Sequence, residues 1–233
     1  HNVAEMRQEE NGYVMYRFPL SVAEKMEAGA DNVSRYSTGI EIRFKLKSEE
    51  AVVYLRAEPA EEAQVAYIYF GSFQGGWYCS SKVILQETTR IRPKNMAVLK
   101  RISVEEKLEF NPEVVRVVLP YGKCIFLGVE GEVETPAKQD YPSKTYLAYG
   151  SSITHGSLAL AAPYTYPFQI AKKLGCDYLN LGMAGSARIE ASLAKYLRNR
   201  KDWDFLSLEI GINMIHNYDE ENFENRVKEF FGI

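Results

Sequence analysis

The chain has 233 residues, of which 46% are hydrophobic and 25% are charged, and its formal net charge at pH 7 is −3. This composition is typical of a globular protein with enough apolar residues for one large or two smaller cores. The negative net charge and the absence of a basic stripe argue against a nucleic-acid partner, because phosphate binding needs clustered lysine and arginine. No apolar run approaches the length that crosses a bilayer, so the sequence predicts no membrane partner.

Cysteine and histidine are too few and too scattered to predict a metal site. Cys79, Cys124 and Cys176 lie far apart, and one of the three histidines is His1. Neither residue type shows the ligand spacing of a zinc site or the density of a disulfide framework. We therefore predict no metal and no other cofactor. A chain that begins at His1 is typical of a processed or trimmed product, which leaves the location open between cytoplasmic and secreted; the oligomeric state is also left open.

The first part of the chain has the pattern of an all-β domain. Residues 1–36 are mixed and polar, and we interpret them as an irregular arm. From residue 38 apolar and charged residues alternate, as in a half-buried antiparallel strand. Further short apolar runs, separated by turn residues, follow at 51–57, 65–70, 82–87, 96–102, 114–119 and 124–129. Such regular breaks predict a β-sandwich of jelly-roll type, which with the arm occupies residues 1–130.

Aromatic residues cluster at 73–78 (Phe-Gln-Gly-Gly-Trp-Tyr) and allow two interpretations. Exposed aromatic faces bind sugars well, which suggests a carbohydrate contact. Alternatively, the stretch is a hairpin turn whose rings pack on the edge of the sheet. No polar group nearby completes a binding site, which favours the second interpretation.

Residues 131–144 interrupt the strand pattern with two prolines and many charges, and we predict an interdomain linker or a surface strap there. From residue 145 apolar strands at 146–149, 177–180 and 205–210 alternate with helical patterns. The first helix should end at Gly175, and Asn217 or Asp219 should cap the third, whose apolar stripe is Phe223, Val227 and Phe231. This alternation predicts a doubly wound parallel α/β domain over residues 145–233.

The stretch 146–156, Tyr-Leu-Ala-Tyr-Gly-Ser-Ser-Ile-Thr-His-Gly, has the pattern of a strand, a sharp turn and a helix. In open α/β sheets, ligands bind where the strands end, because loops and helix N-termini converge there. A serine at this position is therefore a candidate nucleophile. Small hydroxyl residues in such a turn also serve simply as helix caps.

Two later stretches favour the chemical interpretation. Residues 180–185 (Asn-Leu-Gly-Met-Ala-Gly) follow the second strand, and residues 209–213 (Glu-Ile-Gly-Ile-Asn) end the third. With these residues the chain resembles the SGNH (GDSL-like) hydrolase family, whose blocks run G-D-S-L, a glycine, G-x-N-D and D-x-x-H. The longer string Tyr-Gly-Ser-Ser-Ile-Thr-His-Gly is similar to one GDSL-like subfamily. The resemblance covers the chain from about residue 145 onwards and implies a serine esterase or acylhydrolase.

Carried over by position, the resemblance implies that Ser152 is the nucleophile and that Gly185 and Asn213 donate hydrogen bonds to the oxyanion. Ser151 and Ile153 replace the Asp and Leu of the first block, and Met214 replaces the final Asp of the third. The resemblance further implies a small acyl group such as acetyl. The attached sandwich suggests a carbohydrate ester as substrate, and a different small-molecule ester remains open.

The block D-x-x-H has no counterpart, so the proton acceptor of Ser152 is not identified. His155 follows the serine too closely to approach it from the side opposite the oxyanion donors, and His216 lies just beyond Asn213. We predict that these two histidines contact substrate. We also expect that the 233 residues are a fragment that lacks the catalytic Asp and His and is inactive, or nearly so, without them.

Two other functions fit parts of the sequence. A dinucleotide-binding domain fails in detail, because residues 182–185 lack the G-x-G-x-x-G pattern after a first strand. A non-catalytic carbohydrate-binding or adaptor protein with a vestigial hydrolase domain stays open as the alternative. Turnover of an activated acetyl ester distinguishes it from an enzyme.

Overall fold

The computed structural model describes residues 1–27, 29–60, 63–76, 82–83 and 87–233. Its strands are β1 Glu5–Glu9, β2 Gly12–Tyr16, β3 Glu41–Leu46, β4 Ala51–Ala57, β5 Val65–Phe70, β6 Phe73–Gln74, β7 Lys82–Val83, β8 Glu87–Ile91, β9 Val114–Val118, β10 Cys124–Glu130, β11 Val133–Glu134, β12 Thr145–Gly150, β13 Asp177–Gly182 and β14 Phe205–Glu209. The α-helices are α1 Leu20–Ala23, α2 Ala30–Val33, α3 Met96–Glu105, α4 Ser152–His155, α5 Tyr166–Leu174, α6 Ala191–Asn199 and α7 Glu220–Gly232. Trp77, Tyr78 and Cys79, named in the sequence predictions, lie outside the described residues.

Two antiparallel sheets are built from the first 134 residues. One has the strand order β1-β2-β10-β4-β8, and the other has the order β11-β3-β9-β5-β6, with β7 also paired to β5. Buried side chains from both sheets form one hydrophobic cluster, which includes Met15, Phe44, Leu55, Ile68 and Val117. The jelly-roll description and the domain limits at 130 and 145 stay predictions.

The arm predicted to be irregular contains a β-hairpin. β1 pairs antiparallel with β2, and β2 pairs in turn with β10, so the first residues extend one of the sheets. β1 is a largely exposed edge strand with the sequence Glu-Met-Arg-Gln-Glu, and an edge strand needs no apolar face. The hydrophobic pattern therefore gave no sign of it.

The strand predicted at 96–102 is wrong, because these residues lie in α3. Met96, Leu99 and Ser103 fall at the i, i+3 and i+7 positions of one helix face. Met96 and Leu99 pack on the antiparallel core, and Ser103 is buried. The intervening Val98 and Ile102 gave the stretch the residue composition of a strand without its two-residue period.

The segment 131–144 contains a short strand and a 3-10 helix. β11 pairs with β3, and a 3-10 helix follows at Lys138–Asp140. The buried Asp140 carboxylate accepts hydrogen bonds from the side chain of Asn111 (2.6 Å) and the main chain of Ala137 (2.9 Å). The role of residues 131–144 as an interdomain linker or a surface strap stays a prediction.

The last part of the chain is an α/β unit with the three predicted strands. They form a parallel sheet in the order β13-β12-β14, and no strand pair among the described residues joins it to the antiparallel sheets. Gly175 ends α5 in the left-handed region, and the Asp219 side chain caps α7. The buried stripe of α7 ends at Phe230 instead of the predicted Phe231, which is exposed.

The N-terminal segment also reaches the α/β core. Phe18, Ala23, Met26 and Ala30 are buried in the same cluster as Leu147 and Leu181 of the parallel sheet. This contact packs part of the N-terminal segment against the core of the α/β unit. None of the helices formed by described residues has the length and apolar character needed to cross a bilayer.

Candidate active site

The two serines at the junction of β12 and α4 lie in different environments. Ser151 is buried and caps α4, and its hydroxyl donates to Glu209 Oε2 (2.5 Å) while its main-chain N–H donates to the same oxygen (2.8 Å). Ser152 is the first residue of α4 and is half-buried. Its hydroxyl makes no hydrogen bond to any residue that the structure describes. Ser152 is therefore the serine whose hydroxyl is available for chemistry.

Contacts from both neighbouring strands hold α4 in place. The Thr154 hydroxyl lies 3.3 Å from Glu209 Oε2 and 2.8 Å from the Tyr166 hydroxyl. On the other side, Asn180 Nδ2 of β13 donates to the Thr154 carbonyl oxygen (2.8 Å). A short helix has little stability of its own, so these tertiary bonds fix its position.

Gly182 lets β13 end directly against α4. A Cβ atom at Gly182 would lie 2.1 Å from the main-chain nitrogen of His155 and 2.3 Å from its Cα. Such distances are far inside van der Waals contact, so only glycine fits at this crossing. The close approach brings the loop after β13 beside the helix that begins at Ser152.

The other two predicted site residues lie on the loops after β13 and β14. Gly185 has φ +73°, is exposed, and its N–H makes no hydrogen bond within the described part of the chain. Asn213 is half-buried, and its Oδ1 accepts a hydrogen bond from the Ala187 N–H (3.2 Å). That bond joins the two loops and leaves the Asn213 Nδ2 group as a donor. Because β12 is the central strand, Ser152 comes from between the strands that carry Gly185 and Asn213.

His155 occupies a position different from the one predicted for a substrate contact. Its ring is fully buried, with the rings of Tyr36 and Tyr121 at centroid distances of 5.3 and 4.6 Å. Nδ1 lies 3.2 Å from the Ala184 nitrogen, and Nε2 lies 3.3 Å from Arg17 Nη2. Burial and the nearby Arg17 charge hold the pKa of this imidazole well below 6.5. A ring without exposed surface offers a substrate no contact, so His155 leaves the candidate binding residues.

His216 lies exposed in the loop that follows β14, three residues after Asn213. His1 lies at the opposite end of the parallel sheet, where its Nε2 is 2.5 Å from the Tyr178 carbonyl oxygen. Among the described residues, no group of three His, Cys, Asp or Glu side chains could hold a metal ion.

Three residues that contact the site loops were not predicted from the sequence. Glu209 anchors Ser151, as described above, and Arg17 contacts His155. Glu27 accepts hydrogen bonds from Tyr218 and Arg226 and lies 3.3 Å from Arg188 Nη1, so it connects the loops after β13 and β14. These hydrogen bonds, that of Tyr218 first, hold the pKa of Glu27 below its usual value. The signal available for Arg17 was a charged residue inside the apolar run at 13–18.

The comparisons with solved structures agree with this fold. A salicylyl-acyltransferase from a tetracycline biosynthetic pathway has a TM-score of 0.76 at 16% identity, with 99% of this chain and 66% of that chain covered. A GDSL-like lipase structure from Bacteroides ovatus has a TM-score of 0.56 at 16% identity, covering 97% and 64%. A family two carbohydrate esterase from Cellvibrio japonicus has a TM-score of 0.55 at 13% identity, covering 84% and 66%.

At these identities the likeness shows the fold alone, and this chain spans less than two thirds of the length of each of the three structures. No curated protein matches the sequence. The sequence family matched is the GDSL-like lipase/acylhydrolase family, over residues 143–230. That range contains β12, α4 and both loops that carry the predicted oxyanion donors. Over residues 143–230 the chain is therefore similar to the GDSL-like lipase/acylhydrolase family.

Proposed function

We propose that this chain carries an ester-hydrolase site with Ser152 as nucleophile and with Gly185 and Asn213 as oxyanion donors. The observation that carries the proposal is the contrast within the turn. Ser151 is buried and bonded to Glu209, whereas the Ser152 hydroxyl, at the C-terminal edge of the parallel sheet, has no hydrogen-bond partner among the described residues. Nucleophiles of α/β enzymes are presented at this edge.

In the proposed reaction, Ser152 Oγ attacks the ester carbonyl carbon and transfers its proton to a base. The carbonyl oxygen becomes an oxyanion, which accepts hydrogen bonds from the Gly185 N–H and the Asn213 amide. Collapse of this intermediate breaks the C–O bond, and the base returns its proton to the departing oxygen so that the alcohol is released; water then hydrolyses the remaining acyl-serine. Loss of one such donor typically raises the barrier by about 3 kcal/mol.

No described residue is identified as the base that accepts the proton of Ser152. His155 is buried between two N–H donors, His1 lies at the far end of β13, and no described side chain is hydrogen-bonded to Ser152 Oγ. His216 is the histidine that remains solvent-accessible beside the Asn213 loop. Oxyanion donors without a base retain only a small part of the rate of a complete site. We therefore expect slow turnover from these 233 residues.

For the substrate, we infer a small acyl group such as acetyl, on a carbohydrate or a similar alcohol. The fold shared with a carbohydrate esterase supports the carbohydrate. A second candidate is acyl transfer to an alcohol other than water, which the 0.76 TM-score to a salicylyl-acyltransferase favours. Both reactions pass through the same acyl-serine and differ in the acceptor. A non-catalytic carbohydrate-binding or adaptor role is the alternative to both.

The test compares the wild-type chain with Ser152→Ala and Ser151→Ala. 4-Nitrophenyl acetate reports turnover, and a serine-directed phosphonate followed by peptide mass spectrometry reports the labelled residue. We expect turnover, even if slow, that Ser152→Ala abolishes, and labelling at Ser152. Labelling at Ser151, or Ser152-independent turnover, contradicts the assignment.

Complete inertness toward both reagents favours the non-catalytic alternative. Adding an alcohol acceptor separates transfer from hydrolysis by the ratio of new ester to free acid.

A further inference from the structure

Arg17 is a fully buried arginine at the end of β2, and it reaches across to the candidate site. Its guanidinium donates to two carbonyl oxygens at the end of β13, Gly182 (2.7 Å) and Asn180 (3.2 Å). It also donates to the carbonyl oxygens of Val33 (3.0 Å) and Tyr36 (2.7 Å) in the N-terminal segment. One cation therefore joins residues that are about 165 positions apart in the chain.

The partners of Arg17 are unusual for a buried charge. Its hydrogen bonds within the described residues go to main-chain carbonyls and none goes to a carboxylate, while its Nη2 also lies 3.3 Å from His155 Nε2. A buried cation without an anionic partner is costly, and burial lowers the pKa of this guanidinium to about 9. It remains protonated at neutral pH. Apolar side chains would fill the same space without this cost, so the charge calls for a specific role.

His155 connects Arg17 to the loop that carries Gly185. The ring has an N–H donor on each side, Arg17 Nη2 at Nε2 and the Ala184 N–H at Nδ1. A neutral imidazole accepts one of these hydrogen bonds, and a protonated one accepts neither. The positive charge of Arg17 disfavours protonation of His155 and so keeps the ring neutral, with one nitrogen that accepts a hydrogen bond. The Ala184 N–H that this ring faces lies one peptide unit before the Gly185 N–H.

We infer that Arg17 is a positioning residue that fixes the loop after β13 so that the Gly185 N–H points at the oxyanion. The inference rests on the proposed function of Gly185. Arg17 holds the Gly182 carbonyl, where this loop leaves the strand, and His155 holds Ala184, so both sides of Met183 are tied. The N-terminal segment is in this way a part of the site, although Arg17 touches no reacting atom.

The test uses three variants of the full chain: Arg17→Lys, Arg17→Met and the control Arg35→Met. Arg35 lies in the same N-terminal segment and pairs with Glu58 (2.6 Å), away from β13. Lysine keeps the charge but cannot reach four carbonyls at once. If Arg17→Met fails to fold, Arg17→Lys still tests whether Arg17 fixes the loop after β13.

Two readouts are needed, kcat and KM for 4-nitrophenyl acetate and amide hydrogen exchange at residues 183–186. We expect Arg17→Lys to lower kcat about 10- to 100-fold with KM nearly unchanged, because a misplaced donor affects the transition state more than binding. Exchange should accelerate at Ala184, whose N–H faces His155, and at Ser186, whose N–H donates to the Met183 carbonyl, and Arg35→Met should change neither readout. A folded Arg17→Lys protein with wild-type exchange at both amides overturns the inference.

Failure of the proposed function gives a different result. If the turnover does not depend on Ser152, hydrogen exchange alone decides whether Arg17 fixes the loop. If turnover depends on Ser152 and exchange accelerates while kcat is unchanged, Arg17 is structural only and the positioning role is wrong. Accelerated exchange together with a lower kcat supports it.

Discussion

Two segments at the same edge of the parallel sheet differ sharply in how deeply they are buried. The turn at 150–155 is held from both neighbouring strands, and Ser151, Thr154 and His155 are buried. The loop at 211–217 is largely exposed: Ile215 is 65% exposed, and Met214 is its one fully buried side chain. The nucleophile is thus proposed for a mostly buried segment and one of its oxyanion donors for a largely exposed one.

Because of this difference, substitutions in the two segments should affect different properties, namely the stability of the fold in one case and the reaction in the other. Changes in the 150–155 turn should lower the free energy of unfolding, since they disturb buried hydrogen bonds and close packing. Changes at the exposed and half-buried positions of the 211–217 loop should leave that free energy almost unchanged and affect the reaction alone. Four substitutions test this contrast, in order of decreasing effect on the free energy of unfolding.

Gly182→Ala should have the largest effect. The added Cβ would lie 2.1 Å from the His155 nitrogen, so α4 must move. We expect a loss of about 3 kcal/mol in the free energy of unfolding, measured by urea denaturation. Gly185→Ala is the matched control: its Cβ meets nothing within 4 Å, and the cost is that of a left-handed alanine, about 1 kcal/mol. Equal losses in the two variants would show that α4 is not held against β13.

Glu209→Ala comes next. The carboxylate accepts from the Ser151 N–H and hydroxyl and lies within reach of Thr154, and removing it leaves buried donors without a partner. We expect a loss of about 2 kcal/mol, with Glu209→Gln losing less because one oxygen acceptor remains. Urea denaturation of both variants, beside the exposed Glu221→Gln as control, measures the effect. A loss below that of the control would mean that Ser151 finds another partner.

The elements that the sequence predicted correctly are those determined by neighbours in the chain. The strand, turn and helix at 146–155 and the ends of α5 and α7 depend on local apolar patterns, a glycine at one helix end and a capping aspartate at the start of another. The helix α3 was missed because its β-branched residues are typical of strands. The choice of Phe230 over Phe231 depends on how α7 packs, which a stripe of period four does not specify.

The residues that support the site were missed for a different reason. Arg17 is bound by carbonyl oxygens, which every residue has and which therefore leave no trace in the sequence. Glu209 was visible as part of the third block, but nothing local indicated that its carboxylate turns back to Ser151. Contacts between segments that are 50 to 165 residues apart become visible only when the fold brings them together.

The third test concerns pH and the turn at 150–155. His155 faces Arg17 and the rings of Tyr36 and Tyr121, and its pKa in the folded protein lies well below 6.5. Below pH 6.5 the unfolded chain therefore binds a proton that the folded protein does not. The free energy of unfolding should fall as the pH falls, by at most about 1.4 kcal/mol per pH unit. The stability that His155 contributes is complete above pH 6.5.

His155→Gln should remove this component. Urea denaturation at pH values between 5 and 7.5 gives the difference in slope between the wild type and the variant, and titrating carboxylates cancel in that difference. The same slope in both proteins would mean that His155 becomes protonated in the folded state, and with it that the ring has an acceptor partner.

Asn213→Asp should change the free energy of unfolding least and the reaction most. The aspartate keeps an oxygen for the Ala187 N–H, and residue 213 is half-buried, so we expect a change in stability below about 0.5 kcal/mol.

The donor, however, is replaced by a negative oxygen that repels the oxyanion. The rate of phosphonate labelling at Ser152 should drop about 100- to 1,000-fold. Asn217→Ala, four residues after Asn213 and exposed, is the control and should label at the wild-type rate. An Asn213→Asp protein that labels as fast as the wild type removes Asn213 from the oxyanion site. If instead it unfolds as readily as Glu209→Ala, the 211–217 loop supports the fold as much as the turn does, and the contrast between the two segments is lost.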